Sequence, residues 1–210
     1  MTKKFLHVGC GYQRKTATTR EFGTDDWAEI RFDLDERVHP DIVGTMTDMS
    51  AVASESMDAV FSSHNIEHLY PHEVPTALAE FRRVLKPDGF VVITCPDLQS
   101  LCAHVANGNL TDPLYVSPVG PISPIDVLFG FRPEIARGNF YMAHRGGFTK
   151  KSLSDVLLGA GFASATCFSR PAFVDLWALA CKTPCSEQTL RERVAQHFPL
   201  QSPPSPVPVP

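Results

Sequence analysis

The sequence predicts an α/β domain with a mostly parallel sheet, and three observations lead to that fold class. The apolar run Phe5 to Val8 breaks into Gly9-Cys10-Gly11, as a buried strand does when it ends in a tight turn. Residues 73–85 place apolar side chains at the three-and-four spacing of one helical face. This helix lies between two further apolar runs, and a strand–helix–strand unit of this kind pairs its strands in parallel.

Four apolar runs bounded by polar or turn residues are predicted to be strands: Phe5 to Val8, Ile30 to Leu34, Asp58 to Ser62 and Phe90 to Cys95. The helix of residues 73–85 is expected to end in a turn at Lys86-Pro87-Asp88-Gly89, because proline cannot continue a helix. The first crossover, Tyr12 to Asp26, is polar and lacks apolar periodicity. We therefore expect a short helix or a loop there.

The second half of the sequence predicts an insertion, followed by a helix and two strands that complete the sheet. Thr149 is expected to cap a helix that ends at Gly159-Ala160-Gly161, and two strands, Ser164 to Phe168 and Asp175 to Lys182, follow it. We assign residues 1–182 to one domain. Within it, the proline- and aromatic-rich residues 97–147 are predicted to be a lid or substrate insertion. Residues 183–200 are predicted to be a C-terminal helical extension and residues 201–210 a proline-rich disordered tail.

The composition narrows the function classes. The chain has 210 residues, 43% hydrophobic content and a formal net charge of -4, so it suits one domain and lacks the broad cationic surface that nucleic acid requires. Its six cysteines show no paired two-residue spacing, and it has neither a signal peptide nor an apolar run of membrane-spanning length. The expectation is a cytoplasmic protein with no nucleic-acid or membrane partner. The oligomeric state stays open.

The glycine turn indicates a nucleoside ligand. Glycine lets a ligand approach the backbone closely, and Asp33 and Asp35 follow where an acid can accept hydrogen bonds from ribose hydroxyls. The dinucleotide pattern Gly-x-Gly-x-x-Gly is absent, since Arg14 occupies the third glycine position. Binding of NAD thereby loses its main support.

Several motifs occur in a specific order along the chain. They are Gly9-Cys10-Gly11, Phe32-Asp33-Leu34-Asp35, Thr47-Asp48-Met49, the segment 57–69, the segment 80–89 and Cys95-Pro96-Asp97. In this order the sequence resembles the class I S-adenosylmethionine-dependent methyltransferases of the small-molecule type. The resemblance implies a Rossmann-like three-layer sandwich with an antiparallel last strand. It also implies S-adenosylmethionine as cofactor and a small-molecule methyl acceptor as partner.

Carried over residue by residue, the resemblance implies a set of cofactor contacts. Asp35 would hold the ribose hydroxyls, with Asp33, one strand period away, as the alternative. Asp48 would receive the adenine amine and Met49 would cover the ring. The other cofactor residues implied are Gly9, Cys10 and Gly11 in the first turn, and Ser63 and His64 at the end of the third predicted strand.

The sequence defines the residues of the methyl-acceptor site less closely than those of the cofactor site. Histidine titrates near neutrality and can accept a proton, so His144 is the first candidate for a catalytic residue and His68 the second. A structural histidine remains the alternative for both. Arg132, Arg137 and Arg145 bracket the lid and either bind an anionic acceptor or are solvated surface charges.

Two other functions stay open. Gln13 stands where many family members carry a third glycine, which leaves a non-catalytic methyltransferase-like binding protein as the alternative. His64, Glu67 and His68 match the His-x-x-Glu-His pattern of zinc peptidases. That pattern needs a helix, but a predicted strand precedes it and Pro71 follows it. We therefore predict no metal site and rank a zinc hydrolase last.

Overall fold

A computed structural model describes residues 2–117 and 119–199. Seven strands form the central sheet, in the order β3-β2-β1-β4-β5-β9-β8. These strands are β1 (Lys3–Val8), β2 (Trp27–Asp33), β3 (Ile42–Val43), β4 (Met57–Ser63), β5 (Leu85–Pro96), β8 (Ser164–Arg170) and β9 (Asp175–Cys181). The α-helices are α1 (Val74–Val84), α2 (Leu98–Ala106), α3 (Pro124–Phe129), α4 (Arg132–Ala136), α5 (Lys150–Gly159) and α6 (Glu187–His197).

The strand directions confirm the predicted fold class. β1 pairs in parallel with β2 and β4, and β4 pairs in parallel with β5. β9 is antiparallel to both of its neighbours, β5 and β8. The carboxyl ends of β1, β2, β4 and β5 therefore meet at one edge of the sheet, where open α/β sheets bind their ligands.

The segment Lys86 to Gly89, expected to be a turn, instead lies within β5 as an irregularity. Met57 pairs with Leu85 and Ala59 with Phe90, so the extra residues bulge opposite Asp58. The Asp58 carboxylate accepts hydrogen bonds of 2.8 Å from Lys86 Nζ and from the Lys4 backbone N–H. These bonds tie the bulge to the first strand, which a free turn would not achieve.

The first crossover contains only a short 3₁₀ helix, Lys15–Ala17, and agrees with the expectation of a short helix or loop. The sheet face beside it is covered by an aromatic cluster that includes Phe22, whose ring stacks on Phe5 at 4.3 Å between centroids. α6 closes this cluster through His197, and its Leu190 and Val194 pack against it. The C-terminal helix thus covers apolar surface that the first crossover leaves open.

The opposite face carries the larger core, packed under α1 and α5. Thr149 caps α5 as predicted, with its hydroxyl accepting from the Ser152 N–H. The predicted lid, residues 97–147, contains α2, α3, α4 and a hairpin of β6 (Tyr115–Ser117) and β7 (Gly120–Ile122). Of the two C-terminal segments, the extension contains α6, and the tail of residues 201–210 lies outside the described residues. Among the described helices, none combines the length and apolar character that crossing a bilayer requires.

Candidate functional site

A cavity of about 430 Å³ lies at the carboxyl edge of the sheet. The turns after β1, β2, β3 and β4 form its walls, and lid residues close its upper side. The lining residues discussed below are Gly9, Gly11, Tyr12, Asp33, Leu34, Asp35, Val38, Gly44, Thr45, Met46, Ser63, His64, Asn65, His68, Tyr141, Met142 and Arg145. Of the ten predicted site residues, this cavity brings together Gly9, Gly11, Asp35, Ser63, His64 and His68.

The glycine turn is held from two sides. Gly9 has a left-handed φ of 63°, and a Cβ added there would overlap the Asn65 side-chain amide. Asn65 Nδ2 donates hydrogen bonds to the carbonyls of Val8 at 3.0 Å and Ser63 at 2.8 Å, so it joins the ends of β1 and β4. Gly11 is also left-handed, with a φ of 50°, but an added Cβ would meet no atom within 4 Å.

Arg31, which the sequence analysis did not single out, fixes the far side of the same loop. It is only 2% exposed, and its guanidinium donates to the carbonyls of Gly11, Gln13 (3.3 Å), Val38 (3.2 Å) and His39 (2.6 Å). Gln13 thus contributes its backbone carbonyl to this network. A single buried cation therefore organises the loop without a third glycine.

The two acids after β2 both line the cavity but have different partners. Asp33 accepts hydrogen bonds from the backbone N–H groups of Gly11 at 2.7 Å and Asp35 at 2.9 Å. Asp35 is paired with Arg37 at 2.7 Å, and the hydrogen bond from Arg37 lowers the pKa of Asp35 below its ordinary value. Each carboxylate retains lone pairs for a further donor.

Three predicted cofactor residues do not line this cavity. Cys10 is buried in the core, where burial raises the pKa of its thiol to about 11. Met49 is fully buried and its backbone is hydrogen-bonded to the side chains of Glu80 and Arg83. Asp48 lines a separate surface hollow beside that same pair.

Thr45 and Met46 line the cavity in place of Asp48 and Met49, which the sequence analysis expected to contact the adenine. The signal for this placement is Gly44, whose hydrogen atoms face the Phe32 ring so closely that a Cβ would overlap it. The chain turns toward the cavity at that glycine and has returned to the core by Met49.

A second, smaller cavity of about 170 Å³ adjoins the first, and His64, His68 and Met142 line both. Its other walls come from the lid, from the turn between β8 and β9, and from the 3₁₀ turn after β4. They include Glu67, Tyr115, Ile122, Val127, Phe131, His144, Phe173 and Val174. The predicted catalytic residue His144 lines this second cavity.

Glu67, His68 and His144 form a compact cluster at the boundary of the two cavities. His68 Nδ1 lies 3.1 Å from the Ala143 carbonyl and His144 Nδ1 lies 2.8 Å from the Val127 carbonyl. A carbonyl only accepts hydrogen bonds, so both Nδ1 atoms carry the proton. In its neutral form each ring would therefore present an Nε2 lone pair.

Glu67 is 1% exposed, and neither of its oxygens accepts a hydrogen bond from any residue that the structure describes. His64 Nδ1 is 3.4 Å from Glu67 Oε1. Burial raises the pKa of Glu67, but the polar contact with His64 and the nearby imidazoles of His68 and His144 outweigh it, and the net shift is downward. Burial also lowers the pKa of His144. The pKa values of Glu67 and His144 are thus both shifted downward from their ordinary values.

The helical context of a zinc peptidase is absent from this segment. Residues Ile66–His68 form a single 3₁₀ turn, and His64 before it has a left-handed φ of 53°. The two histidines of the pattern therefore do not lie one α-helical turn apart. The peptidase motif requires that arrangement.

The three arginines that bracket the lid have separate positions. Arg132 pairs with Asp126 at 2.7 Å, and Arg137 pairs with Glu134 at 2.5 Å. Arg145 lies over the Tyr70 ring and lines the first cavity. Of the three, Arg145 is the arginine that the structure places at this cavity.

Comparisons with known proteins agree with this architecture. A protein-family model described as "Methyltransferase domain" matches residues 6–93. A search of curated proteins found no significant sequence match.

Solved structures match most of this chain at low sequence identity. A SAM-dependent methyltransferase from Thermotoga maritima, described as a possible histamine N-methyltransferase, aligns with a TM-score of 0.55 and 16% identity, over 86% of this chain and 82% of its own. The protein PH0226 from Pyrococcus horikoshii gives a TM-score of 0.58 and 15% identity over 86% and 82%.

A third similar structure is the Burkholderia thailandensis 1,6-didemethyltoxoflavin-N1-methyltransferase, solved with its substrate and S-adenosylhomocysteine. It gives a TM-score of 0.52 and 18% identity over 86% of this chain and 71% of its own. At these identities the three structures support a shared fold.

Proposed function

We propose that the chain, whose residues 6–93 match a methyltransferase-domain model, is a class I S-adenosylmethionine-dependent methyltransferase that methylates a small molecule held under its lid. The observation that carries the proposal is the cavity at the carboxyl edge of the sheet. A left-handed glycine turn, two carboxylates and an apolar wall meet there around a space suited to one small ligand.

The residues present fit the cofactor of this family, S-adenosylmethionine. Asp33 and Asp35 offer acceptor oxygens for the ribose hydroxyls, and the open backbone at Gly11 permits close approach of the methionine part. Leu34, Val38 and Met46 supply apolar surface for the purine. Ser63 and His64 line the first cavity at the end of β4, and His64 also lines the second cavity.

We assign the methyl acceptor to the second cavity. Its volume of about 170 Å³ is below the roughly 300–1,000 Å³ of sites for drug-sized ligands, so it limits the acceptor to a compact molecule. Its aromatic and aliphatic walls favour an acceptor with an apolar body. The similar Burkholderia structure, which holds 1,6-didemethyltoxoflavin, supports a small-molecule acceptor. The shared wall of His64, His68 and Met142 would bring the acceptor beside the first cavity.

When bound, S-adenosylmethionine supplies a methyl group on a sulfonium sulfur, which keeps the bonding electron pair and leaves as a neutral thioether. The acceptor forms the new bond to the methyl carbon and loses a proton. The chain's task is mainly to hold the two ligands in line. His144 and His68 remain the proposed catalytic residues, because their Nε2 lone pairs adjoin the second cavity and can assist the departure of that proton.

Calorimetric titration with S-adenosylhomocysteine tests cofactor binding. We expect one saturable site per chain, and an absence of binding to folded protein would overturn the proposal. Incubation with methyl-labelled S-adenosylmethionine and separate small-molecule, RNA and protein fractions of a cell extract tests the acceptor class. Label in the small-molecule fraction is expected, and label confined to RNA or protein would contradict it.

A further inference from the structure

We propose that Glu67, His68 and His144 bind one divalent transition-metal ion, of the class of Zn²⁺, at the boundary between the two cavities. One carboxylate oxygen and two imidazole nitrogens converge there, and these ligand atoms all lie within 4.8 Å of one another. Metal binding itself rests on this geometry. Only its role toward the methyl acceptor rests on the proposed function.

The two imidazoles are already oriented as metal ligands. Each donates its Nδ1–H to a backbone carbonyl, His68 to Ala143 and His144 to Val127, which fixes the ring and leaves Nε2 as the nitrogen available for a metal ion. Metal-bound histidines typically have their second nitrogen held in this way. The rings meet edge to face at 4.9 Å between centroids, so both lone pairs reach the same small volume.

Glu67 supplies the second, independent argument. A buried carboxylate with two unpartnered oxygens is unfavourable unless a positive charge compensates it. His68 and His144 direct their Nδ1–H groups at backbone carbonyls instead of at Glu67, and His64 Nδ1 makes only an ion-pair contact of 3.4 Å with Glu67 Oε1. A divalent cation at the centre of the cluster would satisfy Glu67 and both Nε2 atoms at once.

The ligand types select the class of metal. Imidazole nitrogen suits Zn²⁺, Fe²⁺, Co²⁺ and Ni²⁺, whereas Mg²⁺ and Ca²⁺ prefer all-oxygen sites. Metal–ligand bonds of about 2.0–2.2 Å require the three side chains to move closer together than they are here. Three protein ligands also leave a coordination position open, as catalytic rather than structural sites do.

The open position gives the metal a role in the proposed reaction. It adjoins the second cavity, so an acceptor hydroxyl or phenolate oxygen can bind there. A cation lowers the pKa of an oxygen that it binds, and the acceptor would then lose its proton to solvent before it takes up the methyl group. With the metal bound, the Nε2 atoms of His68 and His144 act as its ligands, and the metal replaces them in promoting loss of that proton. The metal site therefore points to an oxygen acceptor.

Titration of chelator-treated, folded protein with Co²⁺ tests the site, because its visible spectrum reports the ligands. We expect one tight equivalent, no thiolate charge-transfer band, and a rise in the thermal midpoint on adding Co²⁺ or Zn²⁺. Glu67→Gln keeps the shape of the side chain and is expected to abolish both the tight equivalent and the rise in midpoint. His144→Ala is expected to do the same.

Two matched variants serve as controls. His72→Ala removes an exposed histidine outside the cluster, and Cys185→Ser removes a thiol that lies 3.0 Å from Cys181, the other place where a soft metal could bind. Both are expected to bind one equivalent as the wild type does. Loss of the equivalent in Cys185→Ser, or its retention in both Glu67→Gln and His144→Ala, would overturn the proposal.

Titration with S-adenosylhomocysteine on the same samples separates this inference from the proposed function. Cofactor binding without metal binding removes the metal site alone. Metal binding without cofactor binding removes the methyltransferase proposal and the role toward an acceptor, and leaves the metal site standing.

Discussion

Gly9 and Asn65 are mutually fitted: the Asn65 amide occupies the space into which any side chain at Gly9 would project. Asn65 uses that position to bridge the carbonyls at the ends of β1 and β4. This wall of the proposed cofactor cavity therefore depends on a glycine for packing as well as for its left-handed φ of 63°.

Gly9→Ala is expected to destabilise the protein and to remove S-adenosylhomocysteine binding, because the new methyl group displaces Asn65 and splits β1 from β4. Steric strain of this kind typically costs about 1–3 kcal/mol, in addition to about 1–2 kcal/mol for the left-handed backbone. Gly11→Ala is the control, since its Cβ meets no atom within 4 Å. Denaturant unfolding measures both variants, and equal losses would contradict the packing argument.

Substitution of Asp33 and of Asp35 by asparagine is expected to weaken S-adenosylhomocysteine binding to different extents. Asp33→Asn removes a charge that holds both the glycine turn and the proposed ribose, so it should weaken S-adenosylhomocysteine binding more than Asp35→Asn. Hydrogen bonds to a charged group contribute about 1.5–3 kcal/mol, which corresponds to about tenfold or more in affinity. Calorimetry with each variant checks the order. Unchanged affinity in both would exclude these carboxylates from the ribose site.

Much of the fold could be predicted from the sequence because its signals are local. The strand before Gly9, the helix before Lys86 and the cap at Thr149 each follow from neighbouring residues, and all three elements are present. Lys86 to Gly89 was wrongly predicted to be a turn. The conformation of this segment depends on the hydrogen bond that Lys86 donates to Asp58 on the neighbouring strand, β4.

The site was less predictable for the same reason. His64, Glu67 and His68 are neighbours in sequence, but His144 joins Glu67 and His68 only through the return of the lid. The residues next to Arg31 in sequence do not distinguish it from a surface arginine. Its buried role becomes visible only in the folded structure, where it donates to the carbonyls of Gly11, Gln13 and His39.

Arg31→Met is expected to lower the free energy of unfolding by about 3 kcal/mol or more. The substitution keeps most of the buried volume but leaves the carbonyls of Gly11, Gln13, Val38 and His39 without their donor. Arg37→Ala is the control, because that side chain is exposed and such changes usually stay within about 0.5 kcal/mol. A loss below about 1 kcal/mol in Arg31→Met would show that water replaces the guanidinium easily.

Acid is expected to destabilise the protein through His197, which closes the aromatic cluster under α6. Burial lowers the pKa of His197 to about 3, whereas the unfolded chain has the ordinary value of about 6.5. Between these values the unfolded state binds the proton and the folded state does not, so stability falls as pH falls below about 6.5. The expected loss is about 1.4 kcal/mol per pH unit, or about 2 kcal/mol from pH 7 to pH 5.

His197→Phe cannot titrate, and its denaturant unfolding at both pH values should show a loss smaller by about that amount. Equal losses in both proteins would mean that other groups cause the acid sensitivity.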